Sequence, residues 1–553
     1  MGRPSGDSAP GWLTLPRTTC AMAPCRSLAN GEPTVPREEE SLVTIVAVSI
    51  GVCCIATSYL FSILPKAVKL YLPEPLAQVA VGVAVGALIR LVPNLRRDLQ
   101  FQPETFFLFL LPPIIFASGY NVKNSSFFGN IGSICCLGFV GTLVSTALVG
   151  LGLNVAGTVM PSVVSPRLGL VEAFAFGAVL SALDTVATVS IFTSLGVHDR
   201  LYMLVFGESV MNDAASIVSY RTLRALLAHG SKSGGAPPPP GPPAPASFTA
   251  AQGGMALADF FLVTFGSVLV GATFGVACSL LFKYTKLRLQ PHLETAVFWL
   301  FPYLSYLTAE NVELSGVMSL LFCGIIMGRY AYFNLSPENQ IASPVSATII
   351  SVLAETYIFA YLGMSVFTLQ TYDFASVGFV VAAIVLCYIS RAVTVFGLSA
   401  LLNLGRIRPI TWKEQVVSWY AGGIRGAVSF ALVLDVQDAA PHGDVLVTTT
   451  LLVILSTVLL NGGGLTTLLL RTLGLDNGRG AVDAAHSGAS DGACERTPLL
   501  PGVSAAFVHW VDDLDNRYFN RWLRADGGRQ VSLAPRTPAP PSRQSPAPAT
   551  TSD

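Results

Sequence analysis

The chain has 553 residues, of which 52% are apolar and 12% charged, about half the charged share usual in a soluble globular protein. Its formal net charge is zero, which says little by itself because the distribution of charge is what matters; nucleic acid is not expected as a partner. The apolar residues lie in long blocks with polar punctuation, which excludes a soluble domain and predicts an all-α polytopic membrane protein.

Residues 1–40 hold no apolar core of the signal-peptide kind, and Gly6 stands where a myristoylation motif wants Ser or Thr; the segment is expected to be disordered. A helix needs about 20 apolar residues to cross a bilayer, and on that measure about thirteen candidate spans follow. They begin near Ser41, Pro75, Glu104, Ile131, Val171, Leu201, Ala256, Glu294, Leu314, Ala347, Ala375, Lys413 and Val445, and together make one transmembrane domain over 41–472. Between the sixth and seventh spans, a Pro-rich loop over 229–252 reads as an extended, solvated spacer.

Residues 473–553 are expected as a mostly disordered cytosolic tail. Within it, Phe507, Trp510, Val511, Leu514, Tyr518 and Trp522 recur at helical spacing. That predicts an amphipathic helix over about 505–524, lying on membrane lipids or docked on the cytosolic face. Glu495, Leu499 and Leu500 have the spacing of a signal read by sorting adaptors.

Placing the tail in the cytosol puts Lys66, Lys69, Lys123, Arg200, Lys283, Lys286, Arg288, Arg406 and Arg408 on that side. Glu310, Glu313, Asp373, Asp438 and Asp444 then lie opposite, with Arg96, Arg97 and Lys232 as exceptions, in keeping with the positive-inside tendency. Asn124 and Asn334, both in glycosylation sequons, fall on the cytosolic side and are expected to stay bare. Seven cysteines (Cys53, Cys54, Cys135, Cys136, Cys278, Cys323 and Cys387) lie in spans as small hydrophobes, and no cofactor is expected.

Ionisable residues within spans carry the functional information, because a charge at mid-bilayer costs at least about 2.5–3.5 kcal/mol unless paired or hydrated. They are Asp184, Glu208, Asp213, Glu355, Arg391 and Arg425. With acids in excess, the two arginines are expected to neutralise some of them and leave the rest for a positive ligand. Ser209 and Asp213 are four residues apart and share one helix face; Glu208 and Asn212 share another about 100° away. One face is thus a candidate for binding and the other for structure. A carboxylate in a water-filled cavity can hold a proton or a hard cation, and hardly both. Asp213, Asp184, Ser209 and loose carbonyls supply the oxygens that Na+ or K+ would need. If such a site faces each side of the membrane in turn, competition alone produces exchange. "LDTVAT" in the fifth span and "AGGIRGAVS" in the twelfth break the apolar pattern, either to frame that site or to allow close helix packing.

"FFLFLLPPIIFASGYNVKNSSFFGNIGSI", "SALDTVATVSIF", "FGESVMNDAASIV" and "GGIRGAVSF" together resemble the eukaryotic sodium/proton exchangers, as do "LSGVMSLLFCGIIMGRY" and "AETYIFAYLGMSVF". "SIVSYRTL", "NLSPENQ" and the tail's "DNRY" resemble the organellar, endosomal and Golgi branch. The resemblance implies a homodimer of about thirteen helices per protomer, with inverted repeats, crossing broken helices and alternating access. It implies that Asp213 binds the ion, that Asp184 lies in an unwound span, and that Asn212 replaces a second acid, which goes with electroneutral exchange. It further implies a structural pair of Glu208 with Arg391, and a place for Arg425 on the Gly-rich crossing helix. At Thr185 the chain departs from the proline usual after that aspartate, and Thr185 is a candidate hydroxyl ligand. A non-enzymatic antiporter of Na+ or K+ against H+ in an endosomal or Golgi membrane, regulating pH and cation content there, is the resulting expectation. A proton-coupled symporter of another solute is the alternative. An intramembrane aspartyl protease would need Gly-x-Gly-Asp and an in-span Tyr-Asp; the chain has no such Gly motif, and Tyr372-Asp373 lies in a short loop.

Overall fold

The computed structural model describes residues 74–90, 103–122, 124–185, 199–232, 250–368, 376–404, 409–437, 440–462 and 519–524, with isolated positions between 49 and 63, 187 and 192, and 468 and 473. The N-terminal segment 1–40, positions 233–249 of the Pro-rich loop 229–252, the sorting motif at Glu495, Leu499 and Leu500, and most of the tail helix lie outside these residues, while 229–232 and 250–252 are helical ends and not part of an extended spacer. Helices make up all the regular structure among the described residues, with no strand. In chain order they are α1 (Glu74–Ile89), α2 (Pro103–Tyr120), α3 (Asn130–Val159), α4 (Leu170–Ser181), α5 (Asp199–Lys232), α6 (Ala250–Tyr284) and α7 (Pro291–Asn311). Then follow α8 (Gly316–Asn334), α9 (Pro337–Thr368), α10 (Val377–Asn403), α11 (Trp412–Ala421), α12 (Ala427–Gln437), α13 (Gly443–Gly462) and the short α14 (Asn520–Leu523).

Seven of these are long and apolar enough to cross a membrane by themselves: α2, α3, α6, α8, α9, α10 and α13. Three shorter apolar helices, α1, α4 and α12, pack among them. The fifth and twelfth expected spans thus appear as interrupted helices. α4 stops at Ser181, and α11 and α12 are separated by the non-helical stretch 422–426.

The helices sort into two bundles by what they pack against. α1, α2, α6, α7, α8 and α9 form one; α3, α4, α5, α10, α12 and α13 form the other. In the first, glycine sets the closest approach: a Cβ on Gly82 of α1 would fall 2.0 Å from Ala360 O of α9, and one on Gly363 would fall 2.2 Å from Val79 O. Backbones that near gain dispersion contact where lipid offers no hydrophobic drive to associate. Pro112 and Pro113 open the inner part of α2, and a widened π turn over Phe106–Leu110 precedes them. A π turn there absorbs the missing N–H groups, since proline can donate none to the preceding turn.

Residues 519–524 of the tail are seated on the first bundle. Leu523 is fully buried, Lys283 Nζ donates to Trp522 O at 2.7 Å, and the Arg524 guanidinium lies 3.4 Å from the Phe333 ring centroid. Asn334 Nδ2 donates to Leu523 O and to Ser279 O, each at 2.8 Å, and the residue is 2% exposed. Its sequon is therefore sealed whichever side it faces, so glycosylation there is no test of topology.

Candidate functional site

The two interrupted helices touch at their breaks. After α4 ends, 182–184 leave helical geometry, and the Asp184 N–H donates to Ile424 O at 2.9 Å. A Cβ on Gly426 would lie 2.7 Å from Asp184 Cγ, so only glycine lets the second break come this near. The Asp184 carboxylate accepts from Ala187 N at 3.2 Å, as an N-cap does for a resuming helix.

Two side chains hold the breaks in place. Arg425, 1% exposed, donates through Nη1 to Ser181 O and Ala182 O, both at 3.3 Å. Those carbonyls close α4, where the helix dipole leaves partial negative charge. The expectation that Arg425 would neutralise an acid is corrected by these bonds: its partner is a helix end. Asn212 bridges the break to α3: its Oδ1 accepts from Leu183 N at 2.9 Å and its Nδ2 donates to Thr142 Oγ1 at 2.6 Å. An aspartate at that position, ionised, would have no hydrogen to give Thr142.

Asp213 lies one helical step from this clip. Its Oδ2 accepts from Thr185 Oγ1 at 2.9 Å, and Thr185 Oγ1 lies 2.9 Å from Ser209 Oγ. One hydroxyl hydrogen per residue makes this a chain from Ser209 through Thr185 to Asp213. The other carboxylate oxygen, Oδ1, is buried with no hydrogen-bond partner. A buried acceptor left alone costs about 1–3 kcal/mol, and that deficit is removed when a proton or cation arrives.

Asp213, Asp184 and Thr185 line a recess of about 40 Å³ at the seam of the two bundles, enough for two or three water molecules. Leu183, Val210, Gly426, Ala427 and Val428 add to its wall on the second bundle, and α2 and α9 of the first supply apolar side chains together with Ser118 and Glu355. Glu208 sits away from the recess, where Arg391 binds it through both nitrogens, Nη1 to Oε1 and Nη2 to Oε2, the latter at 3.1 Å. Arg391 Nη2 also donates to Ser418 O at 3.2 Å, and the two side chains are 5% and 1% exposed.

Of the residues singled out in the sequence, Asp213, Thr185, Ser209 and Asp184 come together. Asn212, Arg425, Glu208 and Arg391 surround them as supports. Thr142, which lies outside the motif, and Glu355's place across the recess from Asp213 carry no signal in the residue order.

Residues 55–471 match the family model described as sodium/hydrogen exchanger, transmembrane. Human sodium/hydrogen exchanger 8 is 37% identical over 422 residues, spanning 75% of this chain and 68% of the relative. Sodium/hydrogen exchanger 5 of Arabidopsis thaliana is 39% identical over 387 residues, 68% of this chain and 70% of the relative. The fold is similar to that of the sodium proton antiporter MjNhaP1 from Methanocaldococcus jannaschii, with a TM-score of 0.57 at 19% identity, over 78% of this chain and all of that one. The match runs through both broken helices and the Asn212–Asp213 pair that they enclose, and the chain is a member of the sodium/hydrogen exchanger family.

Proposed function

We propose that the chain is a secondary active antiporter exchanging Na+ or K+ for H+ by alternating access, with Asp213 as the acid at which the two compete. The observation that carries this is the Asp213 carboxylate itself. One oxygen is held by Thr185 and the other is unpartnered, beside a water-sized recess between two bundles. A cation arriving there meets carboxylate and hydroxyl oxygens from Asp213, Asp184, Thr185 and Ser209, the donor set hard cations take. A proton arriving instead neutralises Asp213 and removes its charge from that set. Because Asn212 is neutral and tied to Leu183 and Thr142, the pair offers one acid per cycle, which supports one-for-one, electroneutral exchange.

In proteoliposomes, a Na+ or K+ gradient should drive proton movement that ignores membrane potential, and Asp213→Asn should abolish it. Exchange surviving that substitution would sink the reading. The working unit is proposed to be a homodimer, checked by cross-linking in native membranes. Endosomal or Golgi membranes are proposed as its location on the resemblance to the organellar branch, with Glu495, Leu499 and Leu500 recruiting an adaptor. Steady residence of a tagged chain at the cell surface would count against that location. Substitution of Leu499 and Leu500 that leaves the distribution unchanged would remove the adaptor.

A further inference from the structure

Asn461, near the end of α13, is fully buried, and the proposed exchange makes no use of it. Its Nδ2 donates to Tyr420 O at 3.0 Å, and its Oδ1 accepts from Tyr388 Oη at 2.6 Å. Tyr420 lies in the last turn of α11, so the amide grips the chain just before it leaves helical geometry at 422–426. Thr457, four residues back on the same face of α13, accepts from Arg425 N at 3.2 Å, inside that break. One face of α13 therefore gives a hydrogen before the break and takes one within it. The fit is close: a Cβ on Gly423 would fall 2.9 Å from Asn461 Nδ2. Tyr388 is held in turn, since its carbonyl accepts from Trp419 Nε1 at 3.1 Å. Asn461 thus repeats the Asn212 clip with donor and acceptor exchanged. Asn212 takes a main-chain N–H at the first break and gives a hydrogen to a hydroxyl; Asn461 gives one to a main-chain carbonyl at the second and takes one from a hydroxyl. A carboxamide carries donor and acceptor on one rigid plane, which suits it to both tasks.

We propose that Asn461 is a positioning residue for the exchange site: by fixing Tyr420 O it holds the second break against Asp184, and so sets how well the recess fits its cation. This rests on the reading of Asp213 as the exchange acid. The second break is what the first leans on. Ile424 O receives the Asp184 N–H, Gly426 lies against the Asp184 carboxylate, and Gly426, Ala427 and Val428 wall the recess. Asn461 does not line that space, so its influence passes through the main chain from 420 to 426. A displaced break changes the room left for the ion and the place of Asp184. Na+ and K+ feel that change unequally, because discrimination between cations depends on cavity size and on how freely the ligands adjust.

The test uses the full chain in proteoliposomes, measuring the rate of exchange against Na+ and against K+ concentration. Asn461→Ala removes both bonds of the clip without crowding Gly423. The expected result is a rise of about fivefold in the half-saturating cation concentration, the scale of one buried hydrogen bond, with a shifted ratio between Na+ and K+. Tyr388→Phe leaves Nδ2 in place and frees the amide to turn, so it should give a smaller change in the same direction. Ser305→Ala is the control for lost stability. It removes a buried hydroxyl contact of 2.7 Å to Ser319 in the other bundle, and should lower the melting temperature while both half-saturations stay put. A fall in maximal rate alone in Asn461→Ala, or an equal shift in Ser305→Ala, overturns the proposal. Should Asn461→Ala fold poorly, Tyr388→Phe carries the test, and unchanged half-saturations in it likewise overturn the role. Asp213→Asn separates the two ideas. If that variant is dead while Asn461→Ala is normal, only the positioning role falls. If it still exchanges, the site itself has been misread.

Discussion

Two ion pairs on opposite ends of the same kind of problem distinguish the parts of this molecule. Arg391 and Glu208 are both almost wholly buried, and both belong to the bundle that carries Asp213. Arg221 and Glu310 meet at 3.0 Å with side chains 39% and 28% exposed, and they join α5 of that bundle to α7 of the other. The first pair has given up its water, so each charge depends on the other and on Ser418 O. The second keeps much of its hydration and can part at little cost. The buried pair lies inside one bundle, and the screened Arg221–Glu310 pair lies where the two bundles meet. A neighbouring contact, Arg224 to Asp435 at 2.8 Å, is as exposed as the second pair but stays within one bundle, with Tyr220 donating to the same carboxylate.

The contrast breaks most readily at its buried side. Glu208→Gln would strand the Arg391 charge and is expected to destabilise the protein by about 3–5 kcal/mol, read as a large drop in the detergent melting temperature. A melting point within a degree or two of the parent would mean that water reaches Arg391.

Asn212→Asp tests the clip next to it. Loss of the donor to Thr142 and a new charge beside Leu183 should lower stability by about 1–3 kcal/mol, with a matching shift in the melting curve. Thr142→Val, which removes the same bond from its other end, should mimic the hydrogen-bond part of that loss. If the two variants differ little, the charge itself is being neutralised by water.

Thr185→Val removes the hydroxyl linking Ser209 to Asp213 without changing volume greatly. The cost to folding is expected to be about 1 kcal/mol, while the half-saturating cation concentration should rise. Retained cation affinity would take Thr185 out of the ligand set and leave it as a link in the hydroxyl chain.

The exposed pair should give the smallest effect. Arg221→Gln is expected to alter stability by less than about 1 kcal/mol, and the difference should shrink further in high salt. Glu310→Ala should cost more than Arg221→Gln, because Glu310 Oε1 also accepts from Gly316 N at 2.9 Å. A double-mutant cycle on Arg221 and Glu310 isolates the ionic part, and a coupling as large as that of the buried pair would erase the distinction.

Much of this was legible in the residue order. Charges are so rare in the spans that Asp184, Glu208, Asp213, Glu355, Arg391 and Arg425 stood out, and the four-residue spacing sorted Ser209 with Asp213 and Glu208 with Asn212. The breaks showed as Gly422, Gly423 and Gly426 and as a polar cluster at 184–188. What the order did not hold was partner choice across long separations. Arg425 looked like a counter-ion, yet it serves carbonyls more than 240 positions away in the chain. Along the sequence Asn212 stands only as an absent charge; its amide is a strap for a main-chain N–H, a role that spacing along one helix cannot reveal. Three helices and more than 100 residues lie between Asp213 and Glu355, and only the meeting of α9 with the breaks puts the two in one space.

The seating of the tail gives the molecule a fixed handle. Leu523, Trp522 and Arg524 grip Lys283, Phe333 and Asn334, on α6 and α8, the bundle that lacks Asp213. Residues 519–524 thus tie this part of the tail to the bundle that does not carry Asp213. A pull applied at Trp522–Arg524 would load α6 and α8 first and reach α5, which carries Asp213, only through the contacts between the bundles.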